Sequence, residues 1–142
     1  MRFGNETLSD EIRKARYGAV ANPYQGSDRK VLFVCSMGIL RSATGSRIYG
    51  HKYNTRSAGT YDEALIQITD PLLHWADQVV FVNPENYEQA LRKWEDWGND
   101  PFELTDKSVV LKIPDQYEHM HPQIIKAYNE QYEPVDVRTD PK

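Results

Sequence analysis

Cysteine is almost absent from this chain, with Cys35 standing alone among 142 residues. A lone cysteine forms no disulfide within its own chain and falls short of the several thiolates of a typical structural zinc site. Cys35 is therefore either packed core or a reactive thiol. Long apolar runs are missing as well, and no stretch approaches the roughly 20 residues that a membrane-spanning helix requires. Basic charge is not in excess: 17 Lys and Arg stand against 21 Asp and Glu, interspersed, for a net charge of -4. Such a balance offers no basic stripe to neutralise a nucleic-acid backbone, so nucleic acid is not an expected partner. The opening MRFGNETLSDEIRK lacks the apolar stretch and small-residue cleavage site of a secretory signal, which makes export unexpected and the cytoplasm the expected compartment. Internal repeats and low-complexity tracts are absent too.

What is present suits one compact domain. Hydrophobic residues make up 39% and charged residues 27%, an ordinary globular balance in a chain long enough to bury a core around a central sheet. The first residues differ from the rest. Thr7 and Asp10 have capping-box spacing, and Leu8, Ile12, Ala15 and Ala19 recur at helical intervals, which predicts an amphipathic helix near 8–19. Asn22 to Asp28 is rich in turn formers. The expected organisation is a helical extension over 1–29 followed by an α/β domain over 30–142. Within that domain short apolar runs at Val31–Val34, Thr55–Ala58, Val79–Val82 and Val109–Ile113 alternate with helical patterns from about Arg41 and near 70–76, 84–95 and 122–132. Thr69 or Asp70 is placed to cap the second helix, with Pro71 in its first turn. This alternation predicts a three-layer, doubly wound sheet of four parallel strands with helices on both faces, whose ligand crevice lies at the carboxyl ends of the strands.

Cys35 falls at such an end. In Val31-Leu32-Phe33-Val34-Cys35-Ser36-Met37-Gly38-Ile39-Leu40-Arg41-Ser42 a buried strand stops at a cysteine and a helix starts near an arginine. The amides of Ser36, Met37, Gly38, Ile39 and Leu40, with the first N–H groups of the helix, are then set to converge on a dianionic phosphate. Gly38 sits mid-loop, where a left-handed backbone is often needed to turn consecutive amides inward. The same field favours thiolate over thiol, making Cys35 a candidate nucleophile. Arg41 offers a planar fork to two phosphoryl oxygens, which lysine does not. Ser42 is placed to donate to the sulfur when it leaves. A departing ester oxygen also needs a proton, and Asp115, in the loop after the last apolar run, is the candidate general acid. Tyr117, and also Tyr61, are candidates for an aromatic wall against an aryl substrate.

Plainer readings stand beside these. A free cysteine packed at a strand end is the ordinary fate of a lone thiol, and it is the company of Arg41 and Ser42 that favours function. Asp115 has the alternative of a turn residue beside Pro114, and Ser57 that of a strand end. His119 and His121 read as surface histidines, since no further metal ligands stand at suitable spacing. Trp75, Trp94 and Trp97 read as packing residues.

At these residues the chain resembles the low-molecular-weight protein tyrosine phosphatases, in particular a short bacterial branch of that family. The resemblance runs from about Lys30 to Tyr132. It is carried by the Val-Leu-Phe-Val-Cys run, the Cys35-x5-Arg41-Ser42 spacing, Arg56-Ser57-Ala58-Gly59-Thr60, Ala76 to Val82, and Ile113-Pro114-Asp115. It implies a phosphatase-like α/β fold and a protein-tyrosine phosphatase acting through a cysteinyl-phosphate, with Cys35 as nucleophile, Arg41 as phosphate clamp, Ser42 as thiolate partner, Ser57 as a support of the loop and Asp115 as acid and base. Substrates would be phosphotyrosine-containing proteins or aryl phosphates, inorganic phosphate would be the product, and no cofactor or metal would be required. The cysteine precedes the acid in the chain, as in this family. Gly38 stands where the family usually has Asn, Leu40 where it often has a second cysteine, and proline precedes rather than follows the acid. Other expectations remain open, namely a phosphatase of small-molecule or nucleotide phosphates and a non-catalytic phosphoprotein-binding module.

Overall fold

The computed structural model describes residues 29–114 and 119–134. The helix expected near 8–19, the turn segment that follows it, Asp115 and Tyr117 lie outside the described residues. Four strands, Lys30–Cys35 (β1), Asn54–Gly59 (β2), Gln78–Phe81 (β3) and Ser108–Val110 (β4), form one all-parallel sheet in the order β2-β1-β3-β4. Among the described residues five helices accompany them: Arg41–Ile48 (α1), Asp70–Trp75 (α2), Pro84–Asp96 (α3), Pro101–Thr105 (α4) and Pro122–Gln131 (α5).

β1 runs through the middle because every residue after Lys30 is apolar. Val31, Leu32, Phe33 and Val34 are all fully buried, as a parallel strand covered on both faces must be, and each such side chain contributes about 1.5–3 kcal/mol on burial. Strand periodicity sends alternate residues to opposite sides. Val31, Phe33 and Cys35 pack with Ile48 of α1 and with Ile124, Ala127 and Tyr128 of α5. Leu32 and Val34 pack with Leu73 of α2, Ala90 and Trp94 of α3 and Leu104 of α4. Helices thus cover both faces of the sheet, as the alternating pattern predicts.

The helix starts follow local chemistry. Thr69 caps α2, Asn83 caps α3, Asp100 caps α4 and His121 caps α5, each accepting a backbone N–H two or three residues on and each followed by a proline in the first turn. His121 is thereby a capping residue rather than only a surface one. Trp94 is buried, Trp75 packs against the same core from a partly buried position, and Trp97 is exposed.

Two expectations change. α4 has no counterpart in the sequence reading, since five residues are too few to show helical periodicity, although Asp100-Pro101 is a start signal. β4 ends at Val110 rather than near Ile113, because its partner β3 turns into α3 at Asn83. Leu111 and Ile113 still donate to the carbonyls of Phe81 and Val82, at 2.8 Å each, so the chain keeps its course along the sheet edge without forming a ladder.

An aromatic cluster backs the face under α1. The Phe33 ring stacks on Tyr49 at 5.7 Å and meets Tyr128 and Tyr132 edge-on at 5.9 and 6.0 Å. Tyr128 Oη donates to the Arg41 carbonyl at 2.6 Å, so the cluster also holds the first residue of α1. Replacing Phe33 with Ala should cost about 3–5 kcal/mol. Urea unfolding measures this, and a loss below about 1 kcal/mol would contradict the packing described.

Candidate active site

β1 delivers Cys35 to the carboxyl edge of the sheet, and the loop 36–40 carries the chain from there into α1. That edge is a topological switch point. β1 and β3 are neighbours, yet the chain leaves β1 for a helix on one face and β3 for a helix on the other, which opens a crevice between the two strand ends.

The Cys35 side chain is buried, but its sulfur is not sealed in apolar surroundings. Gly38 N donates to Sγ at 3.0 Å, and Ser42 Oγ lies 3.1 Å away. Both are contacts that a thiolate accepts well. Gly38 reaches the sulfur because its φ is +81°, a left-handed conformation that glycine adopts without steric cost. A side chain would also meet backbone there, since a Cβ would fall 2.8 Å from the Ala58 carbonyl carbon and 2.9 Å from Gly59 N.

β2 holds the loop from outside through its carbonyl groups. Thr60 N donates to Cys35 O at 2.9 Å, Tyr61 N to Ser36 O at 3.0 Å, and Ser57 Oγ to Gly38 O at 3.3 Å. Gly59 permits this approach, because a Cβ on it would lie 2.5 Å from Ser36 O. The Leu40 carbonyl is taken by Thr44 N and Thr44 Oγ1, both at 2.9 Å. The acceptors of the loop are therefore largely spent on the scaffold.

Its donors are not. The N–H groups of residues 39–43 donate to no group among the described residues, and α1, alone among the described helices, lacks a side-chain N-cap. Unsatisfied first-turn amides with the positive end of a helix dipole make an anion-binding arrangement. Arg41 opens that helix. It is only 8% exposed, and its Nη1 lies 3.4 Å from the Ile113 carbonyl, a long contact that an oxyanion would readily outcompete.

Tyr128 lies beneath. Burial above all pushes its phenol well above the usual range, against a smaller opposing effect of Arg41. It stays a neutral donor to the Arg41 carbonyl. On the far side of the loop, Thr44 Oγ1 accepts from Met120 N at 2.8 Å and lies 3.3 Å from His119 Nδ1. Ile113 and His119, which flank 115–118, thus both touch the start of α1.

The structure brings together Cys35, Ser36, Met37, Gly38, Ile39, Leu40, Arg41, Ser42 and Ser57. Around the loop Ile39, Leu40 and Tyr61 expose large apolar surface. Thr44, Thr60, Asn86 and Tyr128 also belong to the surroundings of the site and were not marked by sequence reasoning; their partners lie too far along the chain for spacing to reveal them. Two surface clefts lie elsewhere. One of about 730 Å³ is lined by Arg56, Leu65, Leu72 and Trp75 among others, and one of about 420 Å³ runs from Thr60 and Tyr61 to Arg92 and Asp96. Neither contains Cys35. Among the described residues no cluster of three metal-ligating side chains is present, and no helix is long and apolar enough to cross a membrane.

Gly38→Ala and Gly98→Ala separate conformational cost from contact. Both glycines have positive φ, +81° and +90°, but a Cβ on Gly98 meets nothing within 4 Å. Each replacement carries a left-handed penalty of about 1–2 kcal/mol. Gly38→Ala should cost at least about 1 kcal/mol more by urea unfolding, from the added clash. Equal losses would contradict the close approach of β2 to the loop. Searches of protein-family models, curated proteins and solved structures find no match for the chain.

Proposed function

We propose that this chain is a cysteine-dependent phosphomonoester hydrolase of the low-molecular-weight protein tyrosine phosphatase type, acting in the cytoplasm on phosphotyrosine in proteins. The observation that carries the reading is the arrangement at one loop: a sulfur contacted by Gly38 N–H and Ser42 Oγ, followed by amides over 39–43 that are undonated among the described residues and a buried arginine.

In the proposed reaction the ester phosphate enters the loop with its non-bridging oxygens on the amides and on Arg41. The Cys35 thiolate attacks phosphorus in line, a P–S bond forms, and the P–O bond to the alcohol breaks. Asp115 gives its proton to the departing oxygen. Water then attacks the cysteinyl-phosphate while the Asp115 carboxylate takes a proton from it. The P–S bond breaks, inorganic phosphate leaves, and the Ser42 hydroxyl donates to the regenerated thiolate. Fixed amides and a guanidinium supply electrostatic stabilisation without reorganisation. The attachment of Ile113 and His119 to α1 supports a role for the segment that contains Asp115.

Preference for aryl esters rests on the rim. Ile39, Leu40 and Tyr61 are 38%, 40% and 39% exposed beside the loop, a surface that suits a flat apolar ring better than a sugar or nucleotide. Tyr117 joins that wall in this reading.

The test is turnover of an aryl phosphate by the purified chain. Arg41→Lys should lower kcat by about 10²–10³-fold, as loss of a transition-state donor does. Cys35→Ser should abolish turnover while vanadate binding persists. An active Cys35→Ser variant would refute the nucleophile, and a preference for alkyl over aryl esters would refute the tyrosine assignment.

A further inference from the structure

We infer that Asn86 is a positioning residue of the phosphate loop, holding the Ser36 hydroxyl as a donor for the phosphoryl group; this rests on the phosphatase reading of that loop. Asn86 stands in the first turn of α3, at the end of β3, and so forms the lip of the switch-point crevice opposite the Cys35 loop. It is 1% exposed. A primary amide so placed loses water from two donors and an acceptor, and leaving one such group unsatisfied costs about 1–3 kcal/mol.

Its hydrogen bonds run to the site. Nδ2 donates to Ser36 Oγ at 3.2 Å and to Thr60 Oγ1 at 3.1 Å. Thr60 in turn gives its own hydrogen to Gln89 Oε1 at 2.5 Å, so it can only accept from Asn86. Asn86 Oδ1 has no partner among the described residues. An amide kept for packing would be cheaper as an apolar side chain of similar volume. This one retains a buried orphan oxygen and spends both hydrogens on the residue after Cys35 and the residue after β2.

Ser36 is consequently fixed from two sides, its carbonyl by Tyr61 N at 3.0 Å and its hydroxyl oxygen by Asn86. Because Asn86 supplies the hydrogen of that second bond, the hydrogen of the Ser36 hydroxyl has no acceptor among the described residues. It is left to point at an oxyanion. Thr60 N also donates to Cys35 O at 2.9 Å, so Asn86 links the nucleophile's strand, the loop and β2 through one side chain.

Vanadate affinity and steady-state kinetics on an aryl phosphate test this with the full chain. Asn86→Ala and the donor-deficient Asn86→Asp should weaken vanadate binding about tenfold or more and raise KM more than they lower kcat. Asn99→Ala is the control. Asn99 bonds Asp70 at 2.8 Å away from the loop, so its loss should lower stability without changing vanadate affinity. Ser36→Ala, which leaves Asn86 in place, should weaken binding alike, and the double variant should be no worse than either single one. Should Asn86→Ala not fold, Ser36→Ala and Asn86→Asp decide the matter. Unchanged vanadate affinity in the Asn86 and Ser36 variants, with normal binding by the parent chain, would overturn the role of Asn86 alone. A parent chain that binds no oxyanion would overturn the reading of the loop itself.

Discussion

The contact of Gly38 N–H with the Cys35 sulfur at 3.0 Å organises the site. A backbone amide can turn onto a side chain three residues earlier only if the chain reverses within the loop, and the positive φ of Gly38 is that reversal. Once it is made, the loop sorts its polar groups. Carbonyls of residues 35, 36 and 38 face the end of β2 and are occupied there, while the amide hydrogens of residues 39–43 donate to no group among the described residues. A surface of donors with its acceptors withdrawn attracts anions whatever the chemistry that follows.

Rigid surroundings make such sorting affordable. Residues 31–34 of β1 have no exposed surface, and the Phe33, Tyr49, Tyr128 and Tyr132 rings lock α1 and α5 against it. Tyr128 reaches through this core to the Arg41 carbonyl. From the other face of the sheet Asn86 reaches Ser36. The loop is thus braced by both helical layers, and an undonated amide keeps its aim because the backbone around it does not relax to satisfy it.

Much of the fold was legible in the chain because its signals are local. An all-apolar run stopping at Cys35 reads as a central parallel strand. Thr69-Asp70-Pro71 and the Asn83-Pro84 and His121-Pro122 pairs sit at helix starts. The six-residue step from Cys35 to Arg41 likewise lies within one strand, turn and helix unit, so the core of the site was visible in it. What escaped is carried by contacts that span the chain. The partners of Asn86 lie 50 and 26 positions away, and that of Tyr128 lies 87 away. No periodicity or spacing encodes such bonds. The truncation of β4 escaped for a related reason, since it is set by the turn of β3 into α3 rather than by the β-branched run Val109-Val110. Asp115 and Tyr117 fall outside the described residues, and the roles proposed for them rest on sequence order and on the flanking contacts of Ile113 and His119.

A crystal structure of the chain grown with tungstate examines the central claim most directly. The oxyanion is expected to be seated in the loop, with its oxygens within hydrogen-bond reach of the amides of residues 39–41, the Arg41 guanidinium turned from Ile113 O onto it, and the Cys35 sulfur directly beneath. An oxyanion bound elsewhere, with those amides turned away from a common centre, would contradict it.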